Sequence, residues 1–89
     1  MEKRTIQIIN RLGLHARAAA RLVQLAGGFE SEVKVRRDAK EVNGKSIMGV
    51  MMLAAGKGVY IDISAEGPDE QNAIEQIEQL IRNRFGEAE

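Results

Sequence analysis

His15 is the one histidine among 89 residues, and it sits in the string Gly13-Leu14-His15-Ala16-Arg17. A loop, Asn10-Arg11-Leu12-Gly13, leads into it, and a helical pattern follows. A histidine at that junction faces the unpaired N–H groups of a first helical turn, here those of Ala16, Arg17 and Ala18, which bind anions. The positive helix end disfavours an imidazolium, so the ring is expected to be a neutral nucleophile near pH 7. Arg17 adds a permanent cation whose planar donors suit phosphate oxygens. Such a site can attack a phosphoryl group and then hold the product. The same residues also fit a plainer role, with His15 as a helix cap and Arg17 as a solvated charge. General acid–base catalysis is a third option, but no second catalytic group accompanies His15.

A second string, Asn43-Gly44-Lys45-Ser46-Ile47-Met48-Gly49-Val50-Met51, carries the other candidate residues. Ser46 suits the N-cap of a short apolar helix, Ile47 to Leu53. A phosphate on Ser46 would lie at the positive helix end, where negative charge is tolerated. Ile47, Met48, Met51 and Met52 exceed what one buried face of a short helix needs. Methionines make adaptable contacts, so these residues are either core or an exposed docking patch.

The elements that position these strings follow from the hydrophobic pattern. Glu2 to Ile9 is a strand with Ile6 and Ile8 on one face. Ala16 to Ala26 is a helix whose apolar stripe is Ala16, Ala19, Ala20, Val23 and Ala26. Gly27-Gly28 is expected to end it in the left-handed cap conformation. Glu32 to Arg37 alternates as a half-buried strand, and Asp38-Ala39 turns it into a short strand, Lys40 to Asn43. Gly56-Lys57-Gly58 is a turn. Val59 to Ala65 is a strand with Val59, Ile61, Ile63 and Ala65 inward.

Gly67-Pro68-Asp69-Glu70 starts the last helix, with proline in its first turn and acids at the positive end. Its buried stripe is Ala73, Ile74, Ile77, Leu80 and Ile81. Arg82 and Arg84 fall in its last turn, Gly86 ends it, and the residues beyond are expected to fray. The order is β-α-β-β-α-β-α in one domain, residues 1–89. Sheets and helices each with one apolar face require two layers: an α+β fold with a four-stranded sheet covered on one side by helices.

Composition narrows the function classes. Thirteen basic residues balance thirteen acidic ones, so there is no global attraction to nucleic acid or membrane. The three aromatics, Phe29, Tyr60 and Phe85, form no stacking motif on the strands, which argues against a small RNA-binding domain. Absence of cysteine removes thiolate chemistry and Cys-type zinc sites. One histidine cannot build a polyhistidine metal site, and no cofactor is expected. The segment Met1-Glu2-Lys3-Arg4-Thr5-Ile6 lacks the apolar region of a signal peptide. The apolar run from Ile47 to Gly56 is about half the ~20 residues that span a bilayer. The expected compartment is the cytoplasm, and a monomer is expected.

Taken together, Gly13-Leu14-His15-Ala16-Arg17, Lys45-Ser46-Ile47-Met48-Gly49-Val50-Met51 and Gly67-Pro68-Asp69-Glu70 resemble the histidine-containing phosphocarrier proteins, HPr, of the bacterial phosphotransferase system. The resemblance covers nearly the whole chain. It implies an open-faced β-sandwich with three helices on a four-stranded antiparallel sheet. It also implies that His15 takes a phosphoryl group from phosphorylated enzyme I and passes it to a histidine of an EIIA-type acceptor. Arg17 would help to hold the group. Ser46 would be a regulatory site for an HPr kinase/phosphorylase in bacteria that have one. Such a protein is a stoichiometric carrier rather than an enzyme.

Beside the carrier role stands that of a regulatory binding module, controlled at Ser46, in a nitrogen-related or catabolite-control branch. Partners are expected to dock on Arg21, Ile47, Met48 and Met51. One position departs from the family pattern: Ala18 stands where proline usually follows the arginine. Alanine fits the first turn and adds a donor but gives up rigidity, so the site is expected to persist with an altered transfer rate.

Overall fold

Alternation in three of the strands builds one wall of the core. In a computed structural model, which describes residues 1–89, the elements are β1 (Glu2–Gln7), α1 (Ala16–Gly27), β2 (Glu32–Arg37), β3 (Lys40–Asn43), α2 (Ile47–Met51), β4 (Tyr60–Glu66) and α3 (Glu70–Arg82), followed by a single 3-10 turn, Arg84–Gly86. The sheet runs β1-β4-β2-β3, with every neighbouring pair antiparallel. Register pairs Ile6 with Ile61 and Val35 with Ile63, so the apolar side chains share one face. The three helices cover that face, giving the expected open-faced sandwich. Ile61, Ile63, Ile74, Ile77 and Ile81 are fully buried between the layers. Each contributes about 1.5–3 kcal/mol of hydrophobic stabilisation before the entropy of ordering is charged against it.

Several boundaries differ from the pattern-based expectation, each for a physical reason. The ladder of β1 ends at Gln7 rather than Ile9, although Ile8 still exchanges hydrogen bonds with the Gly58–Val59 segment at 2.7 and 2.9 Å. The buried stripe of α1 is Ala18, Ala19, Leu22 and Ala26; Ala16 is exposed, while Ala20 and Val23 are half-buried. Leu22 is the large side chain that enters the core, and it fixes the rotation of an otherwise alanine-rich helix. Gly27 is the last residue of α1, and Gly28 caps it in the right-handed region at φ −79° rather than the left-handed one.

Helix α2 stops at Met51, not Leu53. Ala54 turns left-handed at φ 51°, and Arg37 donates to the carbonyls of Leu53 and Ala54 at 3.1 and 2.8 Å. The last carbonyls of α2 are met locally by the N–H groups of Met52, Leu53 and Ala54, and the loop carbonyls that follow find their donor in β2. Strand β4 begins one residue later than expected, with Val59 only half-buried. Pro68 precedes the Asp69 N-cap instead of lying within the first turn, Leu80 is half-buried at the edge of the stripe, and Arg84 lies beyond the helix.

The Asp69 side chain makes no capping hydrogen bond to its own helix. Its carboxylate accepts from the Ser31 hydroxyl at 2.5 Å and from the N–H groups of Glu30 and Ser31 at 2.9 and 3.0 Å. Those contacts, the hydroxyl first, hold its carboxyl below the usual carboxylate range. A depressed folded value stabilises the protein at neutral pH, and that contribution is lost as pH falls through it. Asp69→Asn is expected to lower the urea midpoint most at neutral pH. The gap from the parent protein should narrow as the solution is taken into acid below about pH 4. A gap of constant size across that range would show that charge on Asp69 is irrelevant.

Candidate functional site

Helix α1 has four N–H groups to satisfy at its start, as every helix does. The first bond from the helix to its cap runs from Ala19 N–H to the His15 carbonyl at 2.8 Å. His15 is the N-cap, extended at φ −72°, ψ 177°, and its side chain turns back over the first turn. The imidazole Nδ1 accepts from Arg17 N–H at 3.3 Å. That distance is long, and the acceptor is a lone pair aimed at the positive end of the helix.

The other ring nitrogen has a different neighbour. Nε2 lies 2.5 Å from Glu87 Oε2. Because a carboxylate accepts and Nδ1 also accepts, the proton of the neutral ring belongs on Nε2. Glu87 is further held by Asn10, whose amide donates to Glu87 Oε1 at 3.0 Å and to the Gly13 carbonyl at 2.9 Å. The Asn10 bond first, and the His15 contact with it, keep the Glu87 carboxyl below the usual range.

The loop before His15 is fixed by the segment that follows α2. Leu14 N–H donates to the Ala55 carbonyl at 2.9 Å. Gly13 is left-handed at φ 68°, and a Cβ there would lie 2.6 Å from the Ala55 oxygen. The requirement for glycine thus comes from both backbone conformation and close approach.

An open cleft of about 620 Å³ lies over the ring, lined by Arg11, Leu12, His15, Arg17 and the residues from Glu87 to Glu89. Of the residues singled out from sequence, His15 and Arg17 share this cleft. Arg17 is exposed. Arg21, one turn further along α1, donates from its guanidinium to the Phe85 carbonyl. Ser46 is the N-cap of α2, accepting from Gly49 N–H at 3.2 Å. Ile47, Met48 and Met51 are exposed, Met48 to 71%, so these three are surface rather than core. Met52 and Leu12 are also exposed apolar residues. Helix α2 packs against α1.

Asn10, Leu12 and Glu87 belong to the site although their residue types and spacing did not mark them. Leu12, an apolar side chain in a polar loop, carried a weak signal. The tail does not fray as expected: Phe85 is fully buried, and Arg11 meets Glu89 through both backbone and side chain.

Fold and site together define a small two-layer α+β sandwich with a histidine at the mouth of its first helix. Residues 2–83 match the family described as PTS HPr component phosphorylation site. The phosphocarrier protein HPr of Cupriavidus necator is 57% identical over the full length of both chains, and that of Neisseria meningitidis is 52% identical, also over both full lengths. A crystal structure of HPr from Thermoanaerobacter tengcongensis superposes with a TM-score of 0.96 at 48% identity, covering all of both chains. The chain belongs to the HPr family of phosphocarrier proteins of the phosphotransferase system.

Replacing Gly13 tests how the ring is held. Gly13→Ala is expected to cost at least about 1–2 kcal/mol, since it places a Cβ in a left-handed residue and presses on the Ala55 carbonyl. A lowered urea midpoint and shifted His15 ring resonances are the outcome to look for. Unchanged stability and ring resonances would mean that the loop has room this geometry denies it.

Proposed function

We propose that the protein accepts a phosphoryl group on His15 from phosphorylated enzyme I, itself charged by phosphoenolpyruvate, and passes it to a histidine of an EIIA-type protein. The observation that carries this is the direction of Nδ1, whose lone pair faces the first N–H groups of α1. A nucleophile there attacks phosphorus while the phosphoryl oxygens meet donors already oriented toward them. Arg17 N–H, only loosely engaged with Nδ1, is free to turn to a phosphoryl oxygen once the lone pair is used. The exposed Arg17 guanidinium lines the same cleft and supplies a cation for the remaining charge.

The protein is then a stoichiometric participant, not a catalyst. Each cycle leaves it carrying the group or without it. An exposed site on a helix end suits this role, because donor and acceptor histidines must each approach the same atom in line. Exposed Ile47, Met48 and Met51 on α2, with Leu12 and Arg21, form the proposed docking rim. Its apolar part gives adaptable contact to more than one partner.

Ser46 is the proposed regulatory site, for an HPr kinase/phosphorylase where the host has one. A phosphate there adds about −1.5 to −2 charges beside the rim, which opposes docking of an acidic partner. The protein is proposed to work as a monomer in the cytoplasm; no helix is long and apolar enough to cross a membrane.

Incubation with enzyme I and phosphoenolpyruvate labelled in its phosphate tests the proposal. The protein should acquire one acid-labile, base-stable phosphate, lost in His15→Ala and passed on when an EIIA-type acceptor is added. Equal labelling of His15→Ala would contradict it.

A further inference from the structure

The tail that carries Glu87 reaches His15 by an improbable backbone route. After α3, Arg84 and Phe85 are both left-handed, at φ 55° and 54°, and Gly86 follows at 79°. A non-glycine residue in that region is strained, so two in succession need compensation. Phe85 is fully buried, and its carbonyl takes the Arg21 guanidinium. The reversal delivers Glu87 to the far side of the imidazole from α1.

Asn10 then determines how Glu87 meets the ring. Asn10 is completely buried, and its amide nitrogen donates at once to the Gly13 carbonyl and to Glu87 Oε1. Its own Oδ1 is buried without a partner. Turning the amide over would set that oxygen against two acceptors, so the orientation is fixed at the expense of one unsatisfied atom. Glu87 Oε2 is left to face Nε2 at 2.5 Å. One buried amide thus ties the loop that carries His15 to the carboxylate that contacts it.

The geometry points to Glu87 as a positioning residue for phosphoryl transfer, oriented by Asn10, that keeps the proton on Nε2 and leaves the Nδ1 lone pair as the nucleophile. This rests on the carrier function proposed for His15. In the step, an Nδ1–P bond forms as the bond from phosphorus to the donor nitrogen breaks, and that electron pair leaves with the donor. Nε2 keeps its proton throughout, so the ring becomes positively charged. The Glu87 carboxylate faces that charge across the ring, on the side away from the phosphoryl oxygens. The reverse holds when the group moves on, and no proton need be exchanged with solvent in either direction.

Substitution by glutamine makes the sharpest test. Asn10 still donates, so it selects the carbonyl oxygen of a glutamine at 87 and turns the NH₂ toward His15. That NH₂ requires an acceptor at Nε2 and drives the proton to Nδ1, which removes the nucleophile. The experiment compares the parent protein with Glu87→Gln and Glu87→Ala, each checked for an unchanged fold from amide spectra away from the site. Long-range ¹H–¹⁵N spectra of the imidazole at neutral pH report the tautomer. Phosphoramidate, a small donor that needs no docking surface, reports the rate of His15 phosphorylation.

The parent should be Nε2–H. Glu87→Gln should populate Nδ1–H and react about tenfold more slowly, while Glu87→Ala should fall between them. The same tautomer and rate in all three proteins would overturn the role of Glu87. Because the tautomer is read on unphosphorylated protein, that result is distinct from a failure of enzyme I to label His15, which would instead overturn the carrier function.

Discussion

The start of α1 leaves four N–H groups outside the helical ladder, and the site is organised around how they are met. His15 closes one of them loosely, with a nitrogen that is also the candidate nucleophile. A serine or aspartate cap would satisfy the helix better but would present no ring. The histidine accepts a weaker cap and leaves the positive helix end available to an incoming anion. The arrangement works only if the imidazole is held from behind, since a 3.3 Å hydrogen bond does not fix a ring alone. Glu87 supplies the second point of attachment.

From this constraint the surrounding structure follows in sequence. The ring can cap α1 only if the preceding residues turn sharply, which requires left-handed Gly13 against the Ala55 carbonyl. Ala55 is held in turn by the loop after α2, where Arg37 of β2 donates to the carbonyls of Leu53 and Ala54. The carboxylate behind the ring depends on the reversal after α3, anchored by buried Phe85 and by Arg21 of α1. The sheet contributes no side chain to the cleft. Its function is to bury Ile61, Ile63 and their neighbours against the helices, so that α1, the loop after α2 and the tail meet at one place.

How much of this could be read from the residues depends on the range of the interaction. Strands β2 and β3 were legible to the residue because Val33 and Val35 alternate cleanly and the Asp38-Ala39 turn joins adjacent strands. His15 as a cap and the Ser46 cap were legible because both are local, set by residue type at a helix start. The rotation of α1 was not, since its many alanines make several stripes nearly equivalent until Leu22 finds the core. Glu87 gave no signal at all. It is one acid in a polar tail, and the path that brings it to His15 runs through left-handed Arg84 and Phe85, against local preference. Only the burial of Phe85 and the Arg21 contact, both distant in sequence, make that path favourable.

In the proposed transfer the two nitrogens of His15 have different duties, Nδ1 toward the helix as phosphoryl acceptor and Nε2 toward Glu87 as proton carrier. The most direct measurement is the ³¹P–¹⁵N coupling in the ring-labelled phosphoprotein, prepared with enzyme I and phosphoenolpyruvate. Phosphorus coupled to Nδ1, with a proton still on Nε2, is the predicted result. Phosphorus on Nε2 would overturn that division, because that nitrogen would first have to leave Glu87 and turn its back on the helix.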